Sequence, residues 1–309
     1  MKHGSIINKL ARQYGADQNS VHLIGGFNKN VYQFTQNQQE YVLKCYKQND
    51  VHKENVQDEV NTLELIKDAG VRTAEILRSV SGNKVEAIAD NQKLYYAFAM
   101  DKIGGGPLTE WKKNPNWVLL WGKSMGQFHN LLAVKRTNEN VVFPEWEEET
   151  LFEVISKEFD SELVQKWNWF MKQLQQLTKK EKEYGVIHHD LHHENIHLWR
   201  EKMYLLDFGD VRYHWYIYDI AIAIYHAMQT VHSSERSKRF KEFSTRFIEG
   251  YRSEHPLTEH QIEQLPFFLC YREIYSYLYL SLHAKGGKEL QQALSTMRHR
   301  ILKNEPLMV

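Results

Sequence analysis

From Val21 to about Lys47 apolar and polar residues alternate, in VHLIGG, NVYQFTQ and EYVLKCYK, with Gly25, Gly26 and the Asn37 to Gln39 stretch as turn punctuation. A period of two turns successive side chains to opposite faces, so the pattern predicts successive antiparallel strands. The next stretch, VQDEVNTLELIKDAGV, carries Val56, Val60, Leu63 and Ile66 at helical spacing, and Gly70 stands where a helix would stop. AEILRSV, KVEAIA and KLYYAFAM predict two or three further strands. DKIGGGPL then breaks the pattern with three consecutive glycines and a proline, which predicts a hinge or lobe boundary near residue 102.

Beyond that point the period changes. NPNWVLLWGKSMGQFHNLLAV reads as a helix opened by Pro115, and the segments around 150–183, 217–232, 235–252, 258–285 and 288–302 are helical in period as well. GVIHH, NIHLWR and KMYLLDF interrupt them, short enough for a small hairpin beside a helical lobe. The expected fold class is α+β in two lobes: a small antiparallel-sheet N-lobe over residues 1–101 and a large, mostly helical C-lobe over 102–309.

Composition narrows the function. The chain has 309 residues, 42% of them hydrophobic, enough for a substantial core. Thirty-nine basic residues balance thirty-nine acidic ones, so no global field favours nucleic acid or an anionic membrane as a partner. The N-terminal stretch MKHGSIINKLARQYG lacks the apolar core of a signal peptide and no later run reaches membrane-span length, so a cytoplasmic location is expected. Cys45 and Cys270 lie far apart without CxxC spacing, which points to two reduced thiols rather than a disulfide framework or a thiolate zinc site.

The candidate chemistry sits in VIHHDLHHENIHLW, Val186 to Trp199, which holds five of the sixteen histidines. Asp190 and Asn195 are five positions apart, and Asp207 follows twelve positions later in LLDFGD, after an apolar strand. A loop carboxylate, an amide oxygen and a second carboxylate at a strand end can together accept a proton and hold one or two Mg2+ ions, the parts phosphoryl transfer needs. Asp190, Asn195, Asp207, Phe208 and Gly209 fit the spacing of the protein-kinase set H-R-D-x-x-x-x-N and D-F-G. In YVLKCY, Val42, Lys44 and Tyr46 share one strand face, and a lysine in an apolar strand calls for a partner. Glu59 on the following helix is the expected one, with Glu54 and Glu64 as alternatives, and such a pair would hold the ammonium toward nucleotide phosphates.

These residues resemble the aminoglycoside phosphotransferase and choline kinase superfamily, small-molecule kinases with a protein-kinase-like fold. The family loop H-G-D-x-H-x-x-N corresponds to His188, His189, Asp190, Leu191, His192, His193, Glu194 and Asn195. His192, absent from most protein kinases, moves the expectation from protein toward small-molecule substrates. IGGFNKNVYQF, the run from Glu59 to Val71, and LDFGDVRYHWYIYDIAIAI are similar too, so the resemblance covers about residues 20 to 280. It implies Asp190 as catalytic base, Asn195 and Asp207 as Mg2+ ligands and Lys44 as the phosphate lysine. It also implies ATP as donor, with GTP open, bound near Val42 and Met100 to Ile103 under a loop in which Gly26, Phe27, Asn28 and Asn30 offer donors.

His189 stands where the family has glycine, which bears on loop geometry and on access to Asp190. His188 and His192 are expected to hydrogen-bond the loop backbone, and His189, His193 and His197 to be partly exposed or to line the acceptor side. Asp219 is read as structural support, an N-cap or a buried strut to the loop. Asp210, Trp215, Tyr218, Tyr271 and Arg272 are candidate acceptor-binding residues, Arg272 through a buried ion pair or a bound carboxylate. The leading expectation is an ATP- and Mg2+-dependent phosphotransferase acting on a small hydroxyl compound. A nucleotide-binding pseudokinase or scaffold and a His-rich metallohydrolase stay open as alternatives.

Overall fold

The structure, a computed structural model, describes residues 2–49, 51–90, 93–134, 142–149, 151–304 and 307. In chain order the elements are α1 (Lys2–Gln13), β1 (His22–Gly25), β2 (Val31–Gln36), β3 (Gln39–Lys47), α2 (Lys53–Asp68), β4 (Ile76–Leu77), β5 (Val85–Asp90), β6 (Lys93–Asp101) and β7 (Gly106–Pro107). There follow α3 (Pro115–Val134), α4 (Leu151–Glu158), α5 (Ser161–Gln176), β8 (Tyr184–Ile187), β9 (Ile196–Trp199), β10 (Lys202–Leu205) and β11 (Arg212–Trp215). The chain closes with α6 (Tyr216–Gln229), α7 (Ser233–Arg252), α8 (Glu259–Glu263), α9 (Leu265–His283) and α10 (Lys288–Lys303). Thr150, at the start of an expected helical segment, lies outside the described residues. The described residues divide into two compact units, one of 2–106 with 197–209, the other of 107–134, 142–196 and 210 onward. Among the described residues no helix is long and apolar enough to cross a membrane.

The first unit is a six-stranded antiparallel sheet with a helix on each face. The strands run β1-β2-β3-β6-β4, with β5 also paired to β6. Alternation along β6 explains the layering: Tyr95, Ala97 and Ala99 pack with Ile6, Ile7, Leu10 and Tyr14 of the α1 segment, while Tyr96 and Phe98 pack with Val56 and Val60 of α2. The α1 helix was not anticipated from the sequence. Its Ile6, Ile7, Leu10 and Ala11 recur at helical spacing, and the Tyr14 hydroxyl beyond its end donates to the carbonyls of Lys84 and Ala97 at 2.9 Å each. The glycine run has a packing reason: a Cβ at Gly104 would strike the Trp199 ring and one at Gly105, where φ is +74°, would strike the Leu198 carbonyl.

The second unit is helical around a short ribbon. β8 pairs antiparallel with β11, Ile187 opposite Arg212 and Tyr184 opposite Trp215. β11 was not foreseen either, because RYHW joins directly onto the α6 pattern with no turn residue between them. α6 runs through the core with all of Tyr216 to Tyr225 buried, its apolar residues distributed all round. α3 and α7 meet at a reciprocal glycine contact: a Cβ at Gly122 would overlap the Phe247 carbonyl and one at Gly250 the Leu119 carbonyl. The obstructing atoms are backbone, so a methyl group cannot be accommodated by a rotamer change.

Replacing Gly250 by alanine is therefore expected to destabilise the fold by about 1–3 kcal/mol, the usual range for overpacking. That loss should outweigh the ~1 kcal/mol that alanine gains over glycine in a helix. A urea melt showing unchanged or higher stability for Gly250→Ala would contradict this packing.

Candidate active site

In the first unit the β3 lysine holds two carboxylates. Lys44 is 7% exposed, and its Nζ donates to Glu59 Oε1 at 2.6 Å and to Asp207 Oδ1 at 2.7 Å. Glu59, on α2, accepts a second bond from the Tyr46 hydroxyl at 2.6 Å, so both faces of the pair are satisfied. Burial works against the ammonium, but Asp207 and Glu59 outweigh it and hold the Lys44 pKa well above its ordinary value. Asp207 follows β10 with φ at 64°, a left-handed conformation that aspartate tolerates better than most residues. The Leu205 N–H donates to the Arg72 carbonyl at 2.9 Å, which ties the strand before Asp207 to the chain just beyond α2. The Asp207 side chain remains about half exposed at 49%.

The remaining nucleotide candidates also lie in this unit. Val42 on β3 stands opposite Met100 on β6, and Ile103 is 9% exposed just past that strand. Gly26, Asn28 and Asn30 form the turn between β1 and β2, where Gly26 has φ of +86° and accepts from the Lys29 N–H at 2.9 Å. The Asn30 carbonyl accepts from the Cys45 N–H at 2.9 Å, which anchors the turn to β3 beside Lys44.

In the second unit the loop after β8 hangs from one buried carboxylate. Asp219, completely inaccessible, accepts from the His188 N–H through Oδ2 and from the His189 N–H through Oδ1, both at 2.9 Å. Its Oδ2 also lies 3.0 Å from His129 Nε2 on α3, and His129 Nδ1 lies 2.8 Å from the Tyr251 hydroxyl on α7. Asp219 is the fourth residue of α6, whose N-cap is Trp215, so of the two expected roles it is the strut and not the cap.

The loop itself is bonded inward. Asn195 Nδ2 donates to the Asp190 carbonyl at 2.9 Å and to Asp190 Oδ2 at 3.3 Å, so the amide oxygen carries neither of these bonds. His192 Nε2 lies 3.3 Å from Asp190 Oδ2, and its Nδ1 accepts from the Glu194 N–H at 3.2 Å. His188 Nδ1 accepts from the Asp190 N–H at 3.4 Å. Asp190 Oδ1 accepts from Arg272 Nη2 at 2.8 Å. Burial raises the Asp190 pKa, but the His192 hydrogen bond and the Arg272 charge prevail and lower it below the ordinary carboxylate value.

Several residues lie elsewhere than the sequence suggested. His189 and His193 are 4% and 9% exposed, where partial exposure was expected. His189 holds φ of 69°, the left-handed backbone that favours glycine, and its ring packs among Tyr218, Tyr275 and His214 at 5.5–6.2 Å. Ring packing thus takes in the His189 side chain. Trp215 and Tyr218 belong to the core and not to an acceptor surface: Trp215 Nε1 donates to the Thr178 carbonyl at 3.2 Å, and Tyr218 has no accessible surface. Tyr271 is likewise buried, against Trp167, Phe170 and Tyr218. His197 lies on β9, and Asp210 accepts through its carbonyl from Arg212 Nε at 3.3 Å. Cys45 and Cys270 are free thiols.

Sequence reasoning missed His129 and His226. The latter is seven positions after Asp219 on α6, a spacing that returns to the same helix face, and this was the available signal. Among the described residues no group of three or more His, Cys, Asp and Glu is arranged to hold a metal ion, which leaves the metallohydrolase alternative without a centre.

A strand lysine on a helix glutamate and a D-F-G aspartate, together with a loop aspartate bonded to an asparagine five residues on, defines a phosphotransferase. Residues 21–257 match the sequence profile of the phosphotransferase enzyme family, and the chain belongs to that family. It is a small-molecule kinase, an enzyme with an alcohol group as phosphoryl acceptor. Amicoumacin kinase of Bacillus subtilis (strain 168) is 26% identical over 98% of this chain and 93% of its own length. Among solved structures, an amicoumacin kinase in complex with AMP-PNP and Ca2+ superposes with a TM-score of 0.88 at 24% identity, covering 100% of this chain and 95% of that one. The microcompartment-associated aminopropanol kinase follows with a TM-score of 0.78 at 17% identity, covering 98% and 99%. These structures share the fold.

Truncating Asp219 strands two buried N–H groups and an imidazole, so Asp219→Ala is expected to cost about 3–5 kcal/mol. Asp219→Asn, which keeps one acceptor oxygen, should cost less. Equal stability of Asp219→Ala and the wild type in a denaturant melt would refute the strut.

Proposed function

We propose that the protein is an ATP- and Mg2+-dependent kinase of the cytoplasm that moves the γ-phosphoryl group to a hydroxyl of a small molecule, with Asp190 as the base. The observation that carries this reading is the Asp190–Asn195 bond in a loop suspended from Asp219. It turns the Asn195 amide so that its nitrogen is spent on Asp190 and its oxygen remains for a cation. Asn195 Oδ1 in the second unit and the half-exposed Asp207 carboxylate in the first are each hard oxygen donors of the kind Mg2+ takes. Such an ion would neutralise charge on the phosphate oxygens.

In this reading the first unit holds the nucleotide. Val42, Met100 and Ile103 provide apolar surface for the base, and the Gly26–Asn30 turn offers N–H donors to the phosphates. Lys44, oriented by Glu59, supplies a fixed positive charge. The second unit holds the acceptor, whose hydroxyl would donate to the Asp190 carboxylate and pass its proton there as the new P–O bond forms. Keeping Asp190 ionised suits that role, since a protonated carboxyl could not accept.

The acceptor is proposed to carry an amine. Burial and the charges of Asp210, Asp190 and Glu149 push the Tyr279 hydroxyl up to about 12. Three carboxylates thus act on the Tyr279 hydroxyl, against the Arg272 guanidinium. Carboxylates beside an aromatic ring suit a cationic group. The aminopropanol kinase, by its name, acts on an amino alcohol.

The test is ADP release from Mg-ATP over a panel of 1-amino-2-propanol, choline, L-homoserine, amicoumacin and glucose. With the best acceptor, Asp190→Asn should lower kcat by about 10²–10⁴-fold, the range for loss of a general base, and Lys44→Ala should lower kcat/KM for ATP by a comparable factor. Full turnover by Asp190→Asn would overturn the base assignment. A preference for glucose over every amine in the panel would overturn the acceptor class.

A further inference from the structure

Arg272 is the feature of the second unit that the motif residues leave unexplained. Its side chain, 7% exposed on α9, makes four donor contacts. Nη2 donates to Asp190 Oδ1 at 2.8 Å and to His226 Nε2 at 2.9 Å, Nε donates to the same His226 nitrogen at 3.3 Å, and Nη1 donates to the His189 carbonyl at 3.4 Å. The Tyr275 ring lies 5.4 Å from the guanidinium carbon. A guanidinium has five N–H groups, no acceptor, and does not lose its proton in proteins. A nitrogen that takes two of those N–H groups must present a lone pair, so His226 is neutral and carries its proton on Nδ1. Burial and the Arg272 charge depress the His226 pKa well below its ordinary value, in keeping with that tautomer.

We propose that His226 and Arg272 form a positioning pair for Asp190, in which the imidazole on α6 fixes the guanidinium on α9 and the guanidinium fixes the carboxylate. The pair rests on the reading of Asp190 as the base. Terminal carboxylate torsions are broad and roughly two-fold, so a carboxylate held through one oxygen pivots. Asp190 is held through both: Oδ1 by Arg272, and Oδ2 by Asn195 with His192 alongside. Four of the five N–H groups of Arg272 are taken by Asp190, His226 and the His189 carbonyl, and the side chain is 7% exposed, so the residue serves as a scaffold of the loop rather than as a receptor for an acceptor carboxylate. Lysine could supply the charge but not the fork, because its donors leave a single nitrogen. Misplacing a reacting group by about 1 Å costs about 10²-fold in rate.

The experiment has a spectroscopic arm and a kinetic arm. In 15N-histidine spectra of the wild type at neutral pH, His226 should show a protonated Nδ1 and a bare Nε2, and in Arg272→Lys that tautomer preference should weaken or reverse. Kinetically, with Mg-ATP and the best panel acceptor, and with water as acceptor in basal ATP hydrolysis, Arg272→Lys should lower kcat by about 10–100-fold with KM for ATP within two-fold. His226→Leu should lower kcat in the same direction by a smaller factor, while His226→Gln, which restores an acceptor oxygen, should recover part of it. Guanidinium ion added at millimolar concentration should raise kcat of Arg272→Ala but not of Asp190→Ala. The proposal fails if His226 carries its proton on Nε2, if folded Arg272→Lys keeps kcat within two-fold, or if guanidinium leaves Arg272→Ala unchanged. Turnover surviving in Asp190→Asn removes the base reading itself, whereas loss there with full kcat in Arg272→Lys removes only the positioning pair.

Discussion

A carboxylate with no accessible surface must find all its partners within the chain, and Asp219 finds three: two consecutive backbone N–H groups of the loop and one imidazole. The loop leaving β8 has no regular ladder of its own to satisfy those N–H groups, so its conformation depends on Asp219 being where α6 places it. The left-handed backbone at His189 belongs to the same constraint. Two N–H groups one residue apart reach the two oxygens of one carboxylate, and the chain must turn sharply directly afterwards, which φ of 69° accomplishes. That the residue is histidine and not glycine costs conformational strain of order 1–3 kcal/mol; burial of the ring among Tyr218, Tyr275 and His214 works against that cost.

The two units solve related electrostatic problems in different ways. In the first, a nearly buried ammonium is shared between an almost buried carboxylate and a half-exposed one. Glu59, held also by Tyr46, fixes the lysine, while the more exposed Asp207 is the group with room for other ligands. In the second, a nearly buried guanidinium is shared between a carboxylate and a neutral imidazole. There the more exposed member is Asp190, at 28%. In each unit, then, a buried cation with fixed partners presents one carboxylate.

Much of this was legible in the sequence where one pattern had one meaning. The alternation in β2, β3 and β6 identified the sheet because each of these strands has two distinguishable faces, and the spacing from Asp190 through Asn195 to Asp207 identified the chemistry. Lys44 announced a partner by being a cation in an apolar strand, and the structure joins it to Glu59. The misses have physical reasons. α1 is short and carries polar residues, and its apolar face has meaning only against the sheet it covers. β11 is four residues that run straight into α6, so no turn marks its start. Polarity favours a partly exposed or acceptor-lining place for His189 and His193, but a neutral imidazole also buries, as the His189 ring does among aromatic neighbours. Trp215 and Tyr218 looked like a stacking surface for the converse reason, since aromatic residues beside a motif are equally suited to a core. Arg272 could be narrowed to a buried pair or a bound carboxylate, and only its distance to Asp190 distinguishes them.

The glycine contact between α3 and α7 reaches further than packing. Gly122 and Gly250 bring the two helix backbones together, and His129, two turns on from Gly122, meets Tyr251, the residue after Gly250, at 2.8 Å, with His129 passing on to Asp219. The separation of two helix axes is therefore an input to the geometry of a loop that neither helix contains. During divergence, a methyl group gained at either glycine would be felt as lost turnover rather than as a visible lesion at the reaction centre. Descendants tolerating such a change would have to shorten or reorient the His129–Tyr251 link, so these four positions should vary as a set.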